Sequence, residues 1–234
     1  MKKIPDWLKS ILKKFTPKIL INIFHKAKDK RLEKMQIENI FTEIKRKNIW
    51  GSLESVSGAG SEINQTKTLI MELPKLFKLY NIKSVLDIPC GDFNWMKEVD
   101  LSAVEYLGGD IVNELISDNI SKYSLNNKEF KKLNIITDEL PNKDLIFVRD
   151  CFVHLSYNDI LKAINNIKKS GCKYLMTTTF EEYHDNHDII TGKWRPLNLQ
   201  DAPFNFPVPE YLLIEKCIKF ENKSMGLWQI NNIL

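Results

Sequence analysis

The stretch SVLDIPCGD at residues 84–92 is a short apolar run that ends in an acid and then turns at a single glycine. A second short run, YLGGD at residues 106–110, also ends in an acid. Such a pair is typical of a nucleotide-type cofactor site, which lies at the carboxyl ends of neighbouring parallel strands. The sequence therefore predicts an α/β domain built around these two runs.

The acids of these runs indicate the kind of cofactor. A dinucleotide site needs several glycines so that the backbone can approach a pyrophosphate, whereas this turn keeps only Gly91 and adds Asp87 and Asp92. Carboxylates repel phosphate, but they suit a cofactor that carries a cationic centre, an amino group and a ribose. S-adenosylmethionine (SAM) has these groups and no phosphate. The same acidic, glycine-poor turn argues against an NAD-type dehydrogenase.

Short apolar runs alternate with helical segments from residue 83 onwards. The predicted strands are 84–88, 104–109, 129–134, 145–148 and 173–178, and the predicted helices are 93–99, 112–123 and 158–169. Two late runs, 211–218 and 227–233, leave no room for a full helix between them and predict a closing antiparallel pair. The whole pattern predicts a mostly parallel sheet with helices on both faces.

Charge is unevenly distributed over the 234 residues, whose net charge is +4. Residues 1–47 hold 14 Lys and Arg against 5 Asp and Glu, so the remainder of the chain is mildly acidic. Nucleic-acid binding needs a basic surface around the site itself, and we therefore expect no nucleic-acid partner. The four cysteines are too widely spaced for a zinc cluster, and neither a membrane span nor a signal peptide is visible, so we expect a cytoplasmic protein.

The sequence predicts two regions: residues 1–80, a basic helical extension with a lid loop, and residues 81–234, the cofactor-binding domain. The extension begins with an amphipathic segment that bears lysines on one face and is interrupted at Pro17, and a charged helix is predicted from 26 to 47. Residues 1–24 are suited to peripheral contact with an anionic membrane, to packing on the domain, or to packing on a second copy in a homo-oligomer. The sequence leaves these alternatives open.

A loop rich in glycine and serine follows at residues 49–61 and bears one large aromatic residue, Trp50. Such a loop is either a plain linker or a flap that closes over a ligand, because a flap needs glycine hinges and an apolar lid. A helix is predicted after it, over residues 62–80, with Pro74 late in its length.

Taken together, these features resemble the class I SAM-dependent methyltransferases. Residues 85–92 resemble the first motif of that family, with Pro89 where its first glycine is common, and Asp110 matches the acid that binds the ribose hydroxyls. The resemblance implies a seven-stranded Rossmann-like sheet and SAM as cofactor. The cofactor-binding residues that we expect are Asp87, Pro89, Gly91, Asp110, Ile111, Asn134 and Arg149, with Asn134 near the adenine.

Residues 148–155, VRDCFVHL, match the fourth-strand motif of the same family, which lies beneath the methyl group. A hydroxyl acceptor needs a base, and we assign His154 to this catalytic role because an imidazole titrates near neutral pH. The alternative is a histidine that only packs on the next helix. Asp150 is the second expected catalytic residue, orienting His154 or the acceptor, unless it forms a structural ion pair with Arg149.

Expected substrate-binding residues are Trp50, Arg149, Trp194 and Arg195. Arg195, with the neighbouring Lys193, is suited to gripping a phosphate. The stiff aromatic segments 194–197 and 203–207 either cover the sheet or wall the acceptor pocket. The polar stretch 181–188 is suited to a solvated loop or to a divalent ion, and we assign no metal.

The narrower resemblance concerns residues 50–51, 149–154 and 191–198, which are similar to small bacterial methyltransferases of surface-polysaccharide gene clusters. It implies O-methylation of a small sugar-type, phosphorylated or nucleotide-linked acceptor in capsule or lipopolysaccharide synthesis. One alternative is methylation of a nitrogen or of a phosphate-type oxygen. Another is an inactive SAM-fold scaffold at the membrane surface.

Overall fold

The computed structural model describes the backbone of residues 18–233 and the side chains from residue 26 onwards. The chain divides into two compact units between Gln36 and Ile37. In the first unit, helix α1 (Lys18–Lys34) is the described element, and the amphipathic segment expected before it lies outside the described residues. Residues 37–80 belong to the same compact unit as the sheet.

A seven-stranded sheet forms the centre of the second unit. Its strands are β1 (Ser84–Asp87), β2 (Glu105–Asp110), β3 (Lys128–Lys132), β4 (Leu145–Val148), β5 (Tyr174–Phe180), β6 (Tyr211–Ile214) and β7 (Lys223–Gln229). The spatial order is β3-β2-β1-β4-β5-β7-β6. The first five strands are parallel, and β7 runs antiparallel to both β5 and β6. The predicted mostly parallel sheet with a closing antiparallel pair is confirmed.

Helices cover both faces of this sheet. They are α2 (Ile37–Arg46), α3 (Ile63–Leu79), α4 (Asn113–Tyr123) and α5 (Tyr157–Lys169). Alternation along β1 decides which face each helix covers: Val85 packs into a cluster with Leu73 of α3, whereas Leu86 packs into the opposite cluster with Ile164 of α5. Both faces are therefore buried, and the loops at the strand ends are left to form a site.

Three segments differ from the expectation. Residues 93–99 form turns and a single 3-10 turn, Met96–Glu98, instead of a helix. The helix expected over 26–47 is interrupted between Lys34 and Ile37. Strand β6 ends at Ile214, well before residue 218, because Glu215 turns into a buried ion pair and Lys216 takes a left-handed backbone (φ 55°).

Within residues 18–233, no helix combines the length and apolar character that crossing a membrane requires.

Candidate functional site

A cavity of about 300 Å³ lies at the carboxyl edge of the parallel strands, where β1, β2 and β4 end. This is the edge at which open α/β sheets bind ligands. The structure brings the following predicted site residues to its lining: Trp50, Asp87, Pro89, Gly91, Asp110, Ile111, Asn134, Arg149, Asp150, His154 and Trp194. Arg195 is the predicted site residue that does not line it.

Asp110, at the end of β2, holds the turn after β1. Its carboxylate accepts hydrogen bonds from the backbone N–H groups of Val112 (2.8 Å) and Gly91 (3.1 Å). Gly91 has a φ of 57°, in the left-handed region that glycine takes without strain. Burial raises the pKa of Asp110 to about 6. Each carboxylate oxygen can accept a second hydrogen bond, so Asp110 retains capacity for ligand hydroxyls.

Asp87, at the end of β1, is 3% exposed. The Tyr106 hydroxyl donates a hydrogen bond to it at 2.5 Å. Burial raises the pKa of Asp87 to about 7, and the charge of Asp110 contributes in the same direction. Tyr106 was not among the site residues expected from the sequence. Its place on the neighbouring strand, at the register position beside Val85, was the signal that could have identified it.

The sequence assigned Asp92 no specific partner, and the structure shows that it binds the glycine- and serine-rich loop. Its carboxylate accepts hydrogen bonds from Ser55 Oγ (2.9 Å), the Val56 backbone N–H (2.9 Å) and Ser57 Oγ (3.2 Å). A Cβ placed on Gly91 would lie only 2.2 Å from Ser57 Oγ, so glycine is needed where the two loops meet. Asp92 therefore fixes the glycine- and serine-rich loop, whose residues 56–61 line the cavity.

His154 ends the 3-10 turn that follows β4. Its Nδ1 lies 2.8 Å from the Lys193 carbonyl oxygen. A carbonyl oxygen only accepts, so Nδ1 carries the proton and Nε2 keeps its lone pair. Burial lowers the pKa of His154, which favours this neutral form. The Trp50 ring covers the imidazole with a centroid separation of 4.7 Å.

Asp150 does not orient His154, which corrects one expectation. Its carboxylate instead pairs with Lys223 and lies 3.4 Å from an Arg149 nitrogen. Burial opposes ionisation, but Lys223 and Arg149 outweigh it and lower the pKa of Asp150 to about 2. The Lys193 carbonyl orients the imidazole in its place, and Asp150 remains a charged group in the lining of the cavity.

Arg149 finds its main partner in Glu215 at the end of β6. Its Nε and Nη2 contact the two Glu215 carboxylate oxygens at 3.1 and 2.7 Å, and Nη2 also donates to the Gly60 carbonyl at 2.8 Å. Burial opposes the charge, yet Glu215 and Asp150 raise the pKa of Arg149. Glu215 and Lys223 were not among the site residues expected from the sequence, because no local pattern links residues that are so far from Arg149 along the chain.

Arg195 is a structural residue, and its expected role in gripping phosphate is wrong. Only 1% of it is exposed, and its guanidinium donates to the carbonyls of Phe152 (2.8 Å), Leu155 (2.8 Å) and His187 (3.1 Å). All three oxygens belong to the loops around His154. Arg195 thus fixes the turn that presents the imidazole.

Aromatic side chains close the end of the cavity beyond His154. Trp194 packs against Phe180 and Phe220, with ring centroids 6.3 and 6.0 Å apart. The expectation that segment 203–207 also walls the pocket is wrong, because Phe204 and Phe206 are buried in the core and contact Tyr157 and Trp228.

The polar stretch 181–188 is a loop. His184 pairs with Asp201 at 2.7 Å, and the Tyr183 hydroxyl lies 3.2 Å from His187. Among the side chains that the structure describes, no three His, Cys, Asp or Glu residues are grouped so as to hold a metal ion.

Comparison with known proteins gives relatives in fold alone. No family model matches the chain, and no curated protein does. Human N-acetylserotonin methyltransferase, solved in complex with SAM, superimposes with a TM-score of 0.56 over 88% of this chain at 15% identity. The chain spans 65% of that enzyme's length. The methyltransferase domain of bacterial CtHen1 superimposes with a TM-score of 0.53 over 72% of this chain and 100% of its own, at 13% identity.

These likenesses agree with the strand order and with the antiparallel edge hairpin. The chain has the fold of the SAM-dependent methyltransferases of class I.

Proposed function

We propose that the protein is a SAM-dependent methyltransferase that methylates a hydroxyl group of a small, sugar-type acceptor. The observation that carries the proposal is the presence of a neutral imidazole and two strand-end carboxylates in one cavity. The fold of the two superimposed proteins supports it.

The residues of the cavity fit SAM. Asp110 retains hydrogen-bonding capacity for ribose hydroxyls, and Asp87 lies beside it for the amino end of the cofactor. Leu133, Ile135 and Phe41 provide an apolar slot for the adenine. Because carboxylates rather than free cations surround the turn after β1, the lining suits a cofactor without phosphate. When bound, SAM supplies a methyl group that its sulfonium has already activated for displacement.

His154 would act as the base towards the acceptor. Its Nε2 has a free lone pair, and the Lys193 carbonyl keeps the proton on Nδ1, so the ring is held ready to take a hydroxyl proton at Nε2. The Trp50 ring lies over the imidazole and restricts water on that side. A hydroxyl must lose its proton to be methylated, and the presence of this base therefore favours O-methylation over N-methylation.

The link to surface polysaccharides rests on the similarity of segments 50–51, 149–154 and 191–198 to methyltransferases of such gene clusters. Disrupting the gene and measuring O-methyl sugars in the isolated surface glycan tests it. Loss of one O-methyl sugar is expected, and an unchanged glycan would exclude this role.

Titration calorimetry of the purified chain with SAM and with its demethylated product tests the cofactor assignment. We expect both to bind, and we expect Asp110→Ala to abolish binding. Asp118→Ala is the matched control, since Asp118 is an exposed acid on α4 outside the cavity. Absence of binding by the wild-type protein would refute the enzyme and favour an inactive scaffold.

A further inference from the structure

The cations that line the cavity are all neutralised within the described side chains. Lys45 pairs with Glu114 at 2.8 Å, and the other two cations are Arg149 and Lys223. Arg149 pairs with Glu215, and Lys223 pairs with Asp150 while lying 3.6 Å from Glu215. The acceptor end thus holds two buried cations with one buried anion, Glu215, and one partly exposed anion, Asp150.

These pairs cannot be released cheaply for an anionic ligand. Arg149 and Glu215 side chains are 4% and 0% exposed, and Lys223 is 2% exposed. Pulling Arg149 towards a phosphate would take the buried Glu215 carboxylate away from its main partner, which is strongly unfavourable, and pulling Lys223 would break its pairs with Asp150 and Glu215. The charge at this end of the cavity is therefore already satisfied before any acceptor enters.

Two polar groups at this end of the cavity, on His154 and Asp150, can accept hydrogen bonds from a ligand. His154 presents Nε2, since Nδ1 is committed to the Lys193 carbonyl. The ion pairs of Asp150 are made through Oδ2, which leaves Oδ1 for a ligand, and a quarter of this side chain is exposed. Such a pair of acceptors matches a molecule that offers neighbouring hydroxyl groups.

An aromatic surface adjoins these acceptors. Trp194 is 46% exposed and lies with Phe180 and Phe220 between the main cavity and a second one of about 310 Å³. The face of an aromatic ring carries partial negative charge and attracts the C–H groups of a ligand. Asn222 and Glu182, joined by a 2.5 Å hydrogen bond, add polar groups to the lining of the second cavity.

We propose that the acceptor is an uncharged, polyhydroxylated ring that packs on Trp194, donates hydrogen bonds to Asp150 and His154, and extends into the second cavity. The inference rests on the proposed function and narrows it. Of the sugar-type, phosphorylated and nucleotide-linked acceptors, it selects a sugar unit whose reacting end bears no phosphate.

Saturation-transfer NMR on the full chain loaded with demethylated cofactor tests this acceptor class. The probes are methyl glycosides of common hexoses and 6-deoxyhexoses, each compared with the corresponding sugar 1-phosphate. We expect at least one glycoside to bind roughly ten times more tightly than its phosphate, because Arg149 and Lys223 at the reacting end are already held in ion pairs. Equal or tighter binding of the phosphates would overturn the inference, as would binding of no glycoside by a protein that binds the cofactor.

Variants of the aromatic surface locate the binding. Trp194→Ala is expected to weaken glycoside binding roughly ten-fold, whereas Trp194→Phe retains most of it. Phe220→Ala serves as a second variant if Trp194→Ala melts early, and Ile218→Ala, an exposed residue on the same hairpin outside both cavities, is the matched control. Unchanged binding in both aromatic variants would overturn the subsite. A chain that fails to bind the cofactor would overturn the proposed function itself.

Discussion

At the scale of single residues, His154 owes its chemistry to the backbone of a distant loop. The Lys193 carbonyl selects the tautomer, and Arg195 fixes the carbonyls on either side of the turn. A carboxylate partner, which the sequence suggested in Asp150, is therefore not required. Burial lowers the pKa of His154 and outweighs the hydrogen bond to the Lys193 carbonyl, which acts in the opposite direction.

Replacing His154 by alanine should reduce turnover by about 10²–10⁴-fold while leaving the affinity for SAM unchanged, because a positioned base contributes about this much. Single-turnover methyl transfer and calorimetry measure the two quantities. His184→Ala is the control, since His184 is an exposed histidine that pairs with Asp201 outside the cavity. Near-normal turnover of His154→Ala would remove the base from the mechanism.

Burial of the ionised Asp87 side chain lowers the free energy of unfolding by an amount that depends on pH. The pKa of Asp87 is about 7 in the folded chain against about 3.9 for an unfolded one, so the folded state binds the extra proton between these values. The free energy of unfolding should therefore fall as pH rises from about 4 to 7. Asp87→Asn should melt at a higher temperature than wild type at pH 8, and the difference should vanish near pH 4.

Asp87→Asn should also weaken SAM binding roughly ten-fold or more, because the ionised carboxylate of Asp87 is a better hydrogen-bond acceptor than an amide. Wild-type affinity should decline as pH falls below 7, and Asp87→Asn should lack this component. Tyr106→Phe provides the directional control: the Tyr106 hydrogen bond lowers the pKa of Asp87, so its removal should move the decline to higher pH. A midpoint that moves to lower pH would contradict this account.

At the scale of elements, the loop at residues 49–61 is a wall of the site that Asp92 attaches to the turn after β1. Asp92→Ala should increase hydrogen exchange across residues 55–61 and weaken SAM binding, with only a small change in the core strands, because the bonds it loses join two loops outside the sheet. Hydrogen exchange with mass spectrometry measures this. If Asp92→Ala and the control Asp118→Ala exchange alike, the attachment is unimportant.

The β6–β7 hairpin is joined to β4 by the Arg149–Glu215 pair. Glu215→Leu should destabilise the fold by about 3–5 kcal/mol because it leaves a buried guanidinium uncompensated. Adding Arg149→Met should restore most of this loss, since the Asp150–Lys223 pair stays balanced. Denaturant unfolding measures the free energy of unfolding of both variants. Glu72→Ala, which breaks an exposed pair with Lys75, is the control and should cost less than about 1 kcal/mol. A double variant no more stable than Glu215→Leu would exclude this explanation.

At the scale of the whole molecule, residues 37–234 form one compact unit that contains the sheet and the cavity. A chain that begins at Ile37 should therefore fold, with a melting temperature and SAM affinity close to those of the full chain. Circular dichroism measures the melting temperature, and calorimetry measures the affinity for SAM. Co-sedimentation of both chains with anionic vesicles tests the membrane alternative for residues 1–24. Binding by the full chain alone would support it, and equal binding by both chains would exclude it.

The sequence by itself determined the fold class and identified residues that the structure brings to the lining of the cavity. Short apolar runs, their alternation with helices and the acids that end β1 and β2 are local signals, and parallel strands bring their carboxyl ends to one edge wherever the chain has them. Asp87, Gly91 and Asp110 were found in this way. The break after Lys34 and the missing helix at 93–99 show that local propensity alone is weaker than packing.

Only the tertiary structure decided the acceptor end. Arg149 with Glu215, Asp150 with Lys223, and His154 with the Lys193 carbonyl each join residues that no sequence spacing connects. A buried charge or a buried imidazole must find a partner wherever the fold brings one near, and the identity of that partner depends on how β6, β7 and the loop at 181–198 return across the sheet. For this physical reason Arg195, read as a ligand residue in the sequence, is a structural support in the fold.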